Sequence, residues 1–366
     1  MKIICSKEKI QGIIGKADKI TSKNATLPVL ACVLLEAKDS KLFIRATNLD
    51  LGIEASVPVK VEHEGIVAIP GALFVQFLSN VSDGENITLE VKNQNLTITS
   101  SKNNTTIKAL SHEDFPSIPR LEGNQSCTIS SPAFIHGLKS VWYSASVSSM
   151  KPELSSVYMY PKENNLMFVA TDSFRLAEKK IETKELEQFE SVLVPYRNVS
   201  EIIRVFDDVQ GDMSVRFDSG QVAFVYDGIY LVSRIVDGSF PDYQQIIPKD
   251  NTTEVIVLKS DLVQALKLSN LFSDSFNQVT MSIRPDDGFF ELTSKNVDKG
   301  ENQNTVDATL RGEPVEISFN HKYVSDAFSS INSDSIVLMF NGRTKPVVIR
   351  GVNDASFMYL VMPLNK

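Results

Sequence analysis

Apolar positions along this chain follow two rhythms that take turns. Ile10, Ile13, Ile14, Ala17 and Ile20 recur at helical spacing within SKEKIQGIIGKADKI and form one stripe. Helix-like segments also open at Pro70, Pro195 and Asn320: IPGALFVQFLSNV, VPYRNVSEIIRVF and FNHKYVSDAFSSI. In the second of these, Val199, Ile202, Ile203 and Phe206 share a face. Each segment leads through Asp-Gly, Gly-Asp or Ser-Asp into a strand of alternating character: ITLEV, MSVRF and IVLMF. The three openings are spaced by 125 and 125 residues.

Other markers keep this period. Phe115-Pro116 in HEDFPSIP and Phe240-Pro241 in DGSFPDYQQIIP are 125 residues apart. Thr47 in IRATNLDLGI and Thr171 in FVATDSFRLA are 124 apart, with a looser third copy at Thr293 in FELTSKNVDKG. The first helical segment recurs as SSPAFIHGLKSVWYSAS and LKSDLVQALKLSNLF. A period this long means duplicated domains rather than a solenoid. The expectation is an α+β fold of three similar domains, 1–121, 122–249 and 250–366, each with two helices on antiparallel sheets. The Pro-, Gly- and Asn-rich stretches SIPRLEGNQ and PKDNTTE mark the boundaries.

The 366 residues contain nothing near 18 consecutive apolar positions, so no membrane span is expected. The opening MKIICSKEKIQG lacks the apolar core of an export signal. Cys5, Cys32 and Cys127 form no paired spacing. Together these features predict a protein of the reducing cytoplasm. Net charge is −8, which by itself argues against nucleic acid. Its distribution argues the other way. The six helical segments (6–24, 70–82, 130–151, 195–206, 258–272 and 319–331) hold 12 Lys and Arg against 5 Asp and Glu. The excess of acid therefore lies in sheets and loops. If the six helices face one way, their summed positive charge would suit a phosphate backbone.

Candidate chemistry is sparse. His63, His112, His136 and His321 are scattered and lack metal-ligand spacing, so neither metal nor cofactor is expected. GIIGKAD (12–18) has the wrong spacing for a phosphate loop and lies inside the helical stripe. VATDSFRLA crowds Asp172, Ser173 and Arg175 together, but the sequence nominates no histidine base for a Ser nucleophile. Its counterpart ATNLD (46–50) keeps the strand-turn shape with different polar groups, which favours a scaffold turn. Asp172 would then accept backbone N–H bonds, and Arg175 would pair with a carboxylate.

Six motifs in order, TLPVL (26–30), ATNLDLGI (46–53), ATDSFRLA (170–177), GSFPDYQQIIP (238–248), FNHKY (319–323) and the final YLVMPLNK, resemble the bacterial DNA polymerase III beta subunit, the replicative sliding clamp, over essentially the whole chain. The resemblance implies a processivity factor without catalysis. It implies a head-to-tail homodimer, a ring with helices inside and sheet outside that encircles duplex DNA. It implies the polymerase III catalytic subunit, the clamp loader, and other polymerases and repair proteins as partners. These would dock a short peptide carrying a glutamine and hydrophobic anchors between the second and third domains. Carried over by position, that pocket uses Leu154, Thr171, Ser173, Phe174, Arg175, Leu176, Pro241, Gln245, Ile246, Phe276, Asn320, Tyr323, Val361, Met362, Pro363 and Leu364. The pore candidates are Lys16, Lys19, Lys23, Lys139, Arg197, Arg204 and Lys267, and the dimer contact joins Thr105 and Ile107 to Leu271. The chain departs from the family pattern at Ser173-Phe174, where Gly-His is common, and at Gln245, where Arg is common. Two other readings stand beside this one: a hydrolase built on Asp172, Ser173 and Arg175, and a peptide-binding repeat scaffold with no DNA.

Overall fold

A computed structural model describes residues 1–22, 27–82, 84, 86–121, 126–183, 186 and 189–364. All six apolar stripes are helices. They are α1 (Lys7–Ile20), α2 (Gly71–Asn80), α3 (Ser131–Val141), α4 (Tyr196–Phe206), α5 (Lys259–Leu271) and α6 (His321–Asp326). Burial follows the periodicity: α1 buries Ile10, Ile14, Ala17 and Ile20, while Ile13 is half-buried. Helix α4 buries Val199, Ile202, Ile203 and Phe206. Gly12 and Gly15 both lie inside α1, which removes the phosphate-loop reading.

The repeat reappears as topology. The strand before each odd-numbered helix pairs antiparallel with the strand after the following even-numbered one. Lys2–Ser6 pairs with Asn86–Lys92, Ser126–Ser130 with Asp212–Phe217, and Thr253–Leu258 with Ser335–Phe340. In the first repeat the apolar stripe of α1 packs against Lys41–Thr47 and Leu51–Pro58, so it meets sheet rather than water.

By compactness the chain divides into two units. Met1–Pro132 and Arg197–Ile235 form the bulk of the first; Ala133–Leu186, Ser191–Tyr196 and Val236–Lys366 form the second. Strand pairing explains the division. The middle repeat gives Ile229–Arg234 to Leu51–Pro58 and Arg175–Glu182 to Phe357–Val361, so each of its two sheets continues into a neighbouring repeat. The first unit therefore holds an eight-stranded sheet and a five-stranded one that ends at Asn104–Ile107. The second holds a nine-stranded sheet and a four-stranded one that ends at Gly300–Thr305.

Candidate functional site

The turn inside VATDSFRLA is a hydrogen-bonded frame. Thr171 Oγ1 donates to the Arg175 carbonyl (2.7 Å) and accepts from the Ser173 N–H (3.1 Å). Asp172 Oδ1 accepts from the N–H groups of Phe174 (2.9 Å) and Arg175 (3.0 Å). Ser173 sits at φ +77°. Such an Asx turn needs a side-chain acceptor at its first position, which Asp172 supplies. The first copy repeats it atom for atom. Thr47 Oγ1 donates to the Leu51 carbonyl (2.7 Å), Asn48 Oδ1 accepts from Asp50 and Leu51, and Leu49 is at φ +77°. In the third copy Asn296 Oδ1 accepts from Asp298 and Lys299. The true repeat of the turn is thus Asn48, Asp172 and Asn296, at even steps of 124. This corrects the alignment on Thr293, since Lys295 occupies the Thr position.

Arg175 binds what this turn exposes. Its Nε donates to Asp172 Oδ2 (2.9 Å), one Nη to Asp326 and the other to the Tyr143 carbonyl (2.7 Å). Its plane lies 4.7 Å from the centroid of the Tyr323 ring. A planar fork with two carboxylates, a carbonyl and an aromatic face is a site only arginine fits. Asp172 is fully engaged in shaping the turn and holding Arg175, so the hydrolase reading loses its acid. Among the described residues no cluster of His, Cys, Asp or Glu could hold a metal ion.

Beside this hub runs an apolar floor. Val169, Leu176, Tyr243, Val348, Met358 and Leu360 are buried together, with Tyr158, Tyr160, Phe240, Ile247, Met339 and Met362 packed at their margin. The loop GSFPDYQQIIP is pinned to it by two aromatics. Phe240 stacks on Tyr158 (4.9 Å between centroids), and Tyr243 Oη donates to Glu178 Oε2 (2.5 Å). Burial, and then the Glu178 bond, push the Tyr243 phenol well above its ordinary range. The chain end closes the floor through Met362 N–H to the Phe174 carbonyl (2.8 Å).

All sixteen residues carried over to the pocket lie in the second unit, at different depths. Leu154, Thr171, Leu176, Val361 and Pro363 are buried, so they support the surface from below. Arg175, Tyr323, Met362 and Leu364 are half-buried. Ser173, Pro241 and Gln245 are exposed, and Phe174 (60%), Ile246 (48%) and Phe276 (70%) stand out as large apolar groups in water. Asn320 caps α6 by accepting from Lys322 N–H (3.0 Å), and Gln245 donates to Asp242 (2.8 Å). Sequence reasoning missed Asp326, Tyr143, Tyr243 and Glu178. Tyr243 alone left a signal, an aromatic inside a Pro-rich loop.

Of the pore candidates, Lys19, Lys139, Arg197, Arg204 and Lys267 are exposed. Lys16 is largely covered, and Lys23 lies outside the described residues. Thr105 and Ile107 lie on a terminal strand, but the Ile107 side chain is buried in its own sheet, which leaves its main chain for any partner. Leu271 is 59% exposed at the end of α5.

Three copies of one α+β repeat, joined by shared sheets and exposing Phe174, Ile246 and Phe276, define a class of multidomain scaffold. The DNA polymerase III beta subunit matches with its N-terminal domain over residues 1–119, its central domain over 128–242 and its C-terminal domain over 244–365. The beta sliding clamp of Synechococcus elongatus is 29% identical over 100% of this chain and 99% of its own. That of Staphylococcus aureus (strain Mu50) is 26% identical over 94% of each. Among solved structures, the DNA polymerase III beta subunit of Thermotoga maritima superposes with a TM-score of 0.95 at 26% identity, covering 100% of this chain and 99% of the other. A clamp from Bartonella birtlesii bound to griselimycin gives 0.94 at 27% identity, with full coverage of both. The chain belongs to the DNA polymerase III beta-subunit family, the DNA sliding clamps.

Proposed function

We propose that two copies of this chain close head to tail into a ring around duplex DNA, and that the groove of the second unit takes short peptides from its partners. The domains of this reading are 1–121, 122–249 and 250–366. The observation that carries the ring is a pair of sheet ends. Asn104–Ile107, in the first repeat, and Gly300–Thr305, in the third, each end a small sheet. Pairing one with the other is a heterologous contact, which makes a closed ring when its rotation closes. It also hides two strand edges that would otherwise invite aggregation. Thr105 and Ile107 contribute on one side and Leu271 adjoins the other. The ring has no reaction of its own. It holds DNA by enclosure, so the contacts of Lys16, Lys19, Lys23, Lys139, Arg197, Arg204 and Lys267 with phosphate stay weak and salt-sensitive, as sliding requires.

Exposed Phe174, Ile246 and Phe276 support the peptide groove, since large apolar side chains left in water suit the hydrophobic anchors of a docked peptide. Its occupants are peptides of the polymerase III catalytic subunit, the clamp loader, and other polymerases and repair proteins. Griselimycin, which the Bartonella relative binds, is a direct competitor to try against them. The protein works in the cytoplasm. No helix among the described residues is long and apolar enough to cross a membrane. Loading onto a nicked circular plasmid tests the reading: the protein stays on the circle and is lost when the plasmid is linearised. A protein that remains on linear DNA, or that light scattering finds monomeric at micromolar concentration, overturns it.

A further inference from the structure

We propose that Asp208 competes with DNA phosphate for Lys16, and so holds down the affinity of the helical face of the first unit for duplex DNA. This deepens the clamp reading and rests on it. Lys16, on α1, donates from Nζ to Asp208 Oδ1 (2.5 Å) and to the Val205 carbonyl (2.6 Å), and its side chain is only 13% exposed. Lys19 Nζ donates to the Arg204 carbonyl (3.0 Å), and Arg204 pairs with Glu201 (2.8 Å). Lys16, Lys19 and Arg204 share one concavity of about 690 Å³ with Glu8, Asp207 and Asp208. Three acids face three cations there. The basic excess of the helices is therefore offset locally by Asp207 and Asp208, which lie just past the end of α4 at Phe206.

A phosphate approaching this face meets a lysine whose donors are already placed, beside a carboxylate that repels it. Lys16, pulling against burial, holds the Asp208 carboxyl below its usual range, so Asp208 is ionised at neutral pH. Asp208 itself is 72% exposed, so the pair is solvent-screened and exchange for phosphate is easy. Lysine can make that exchange, because its flexible stem carries a compact charge that can swing between partners. The result is a cation available to DNA only in competition, which suits contacts that must form and break as the ring slides.

The test is Asp208→Asn. An acid at a helix C-terminus opposes the helix dipole, so its removal spares α4, and an unchanged melting curve confirms the fold. Binding to a short duplex is followed by fluorescence anisotropy across a salt series. Asp208→Asn binds about fivefold more tightly at low salt, and the slope of log K against log salt steepens by about 0.9, the yield of one extra phosphate contact. Asp298→Asn makes the same change of net charge on an exposed turn of the second unit and shifts binding less than about twofold. Adding Lys16→Gln to Asp208→Asn abolishes the gain. The proposal is overturned if Asp208→Asn binds no more tightly than Asp298→Asn, or if the gain survives loss of Lys16. Retention of the unaltered protein on a circular plasmid is scored separately: failure there removes the clamp reading, whereas retention with an unaltered Asp208→Asn affinity removes only this inference.

Discussion

The first and second units carry the same turn between corresponding interior strands of their large sheets, yet fill the space beside it with opposite chemistry. At positions 124 residues apart, Leu34, Glu36, Arg45 and Glu54 of the first unit correspond to Tyr158, Tyr160, Val169 and Glu178 of the second. In the first, Arg45 bonds Glu36 (2.6 Å) and Glu54 (2.5 Å), and Arg120 from the Phe-Pro loop joins Glu54 while lying over the Tyr230 ring. In the second, Tyr160 stands for Glu36 and Val169 for Arg45, and Tyr243 takes the place of Arg120 against the shared glutamate. The outer corner differs as well. Asp50 and Arg234 are joined main chain to main chain (2.9 Å), as Phe174 and Met362 are (2.8 Å). Under the proposed reading, the duplicated frame serves as a peptide groove in the second unit, where apolar side chains occupy its corners. The frame would then fix where a partner could bind, and the filling would decide whether one does.

The largest effect comes from the floor. Leu176 is fully buried and aligns with Leu360, whereas its counterpart Gly52 aligns with Val232. Leu176→Ala leaves a cavity under the groove and lowers stability by about 3 kcal/mol, read by denaturant unfolding. Its weakened peptide binding then comes with a looser second unit, so a stable Leu176→Ala protein would contradict the packing described. Arg175→Ala comes next. It strands Asp172 and Asp326 and costs about 2 kcal/mol, since Asp326 is partly hydrated. It also weakens a fluorescent partner peptide by at least about tenfold, near the upper range for a lost arginine anchor. Arg45→Ala, the matching loss in the first unit, costs a similar amount of stability and leaves that peptide's affinity unchanged. Equal loss of binding in both variants would mean that the groove is not confined to the second unit.

Local chemistry was legible in the sequence, and long-range pairing was not. The six helices follow from apolar spacing, and the shared turn follows from Thr-Asx at a 124-residue step. The third turn does not fall on Thr293, because the hydroxyl is not what the frame keeps. The frame depends on the acceptor, and Asn296 keeps that acceptor while Lys295 replaces the Thr. Arg175 called for a carboxylate, but Asp326 is 151 residues away and only folding brings it near. Lys16 and Asp208, 192 residues apart, pose the same problem: the acid that matters lies two residues past the end of α4 at Phe206, outside the basic helix segments. The three-part repeat was visible, but its regrouping into two compact units depends on strand edges, which carry no side-chain signature.

The smallest effect sharpens the comparison most. Gly52 stands where Leu176 stands, and a Cβ there would meet Ile118 Cγ2 at 3.0 Å, Ile118 Cγ1 at 3.3 Å and Val232 Cγ1 at 3.4 Å. Ile118 belongs to the Phe-Pro loop of the first unit and is only half-buried, so it can yield by the few tenths of an ångström required. Its branched Cβ limits it to few rotamers, which sets a modest cost. Against that, Ala narrows the unfolded ensemble relative to Gly and returns about 0.4–1 kcal/mol. The two nearly cancel, and Gly52→Ala should change stability by less than about 0.5 kcal/mol in the same unfolding measurement. A loss above about 2 kcal/mol would mean that Ile118 is locked over Gly52. The space beside the first unit's turn would then be closed by its own loop, and the contrast with the second unit would lie in packing as much as in charge.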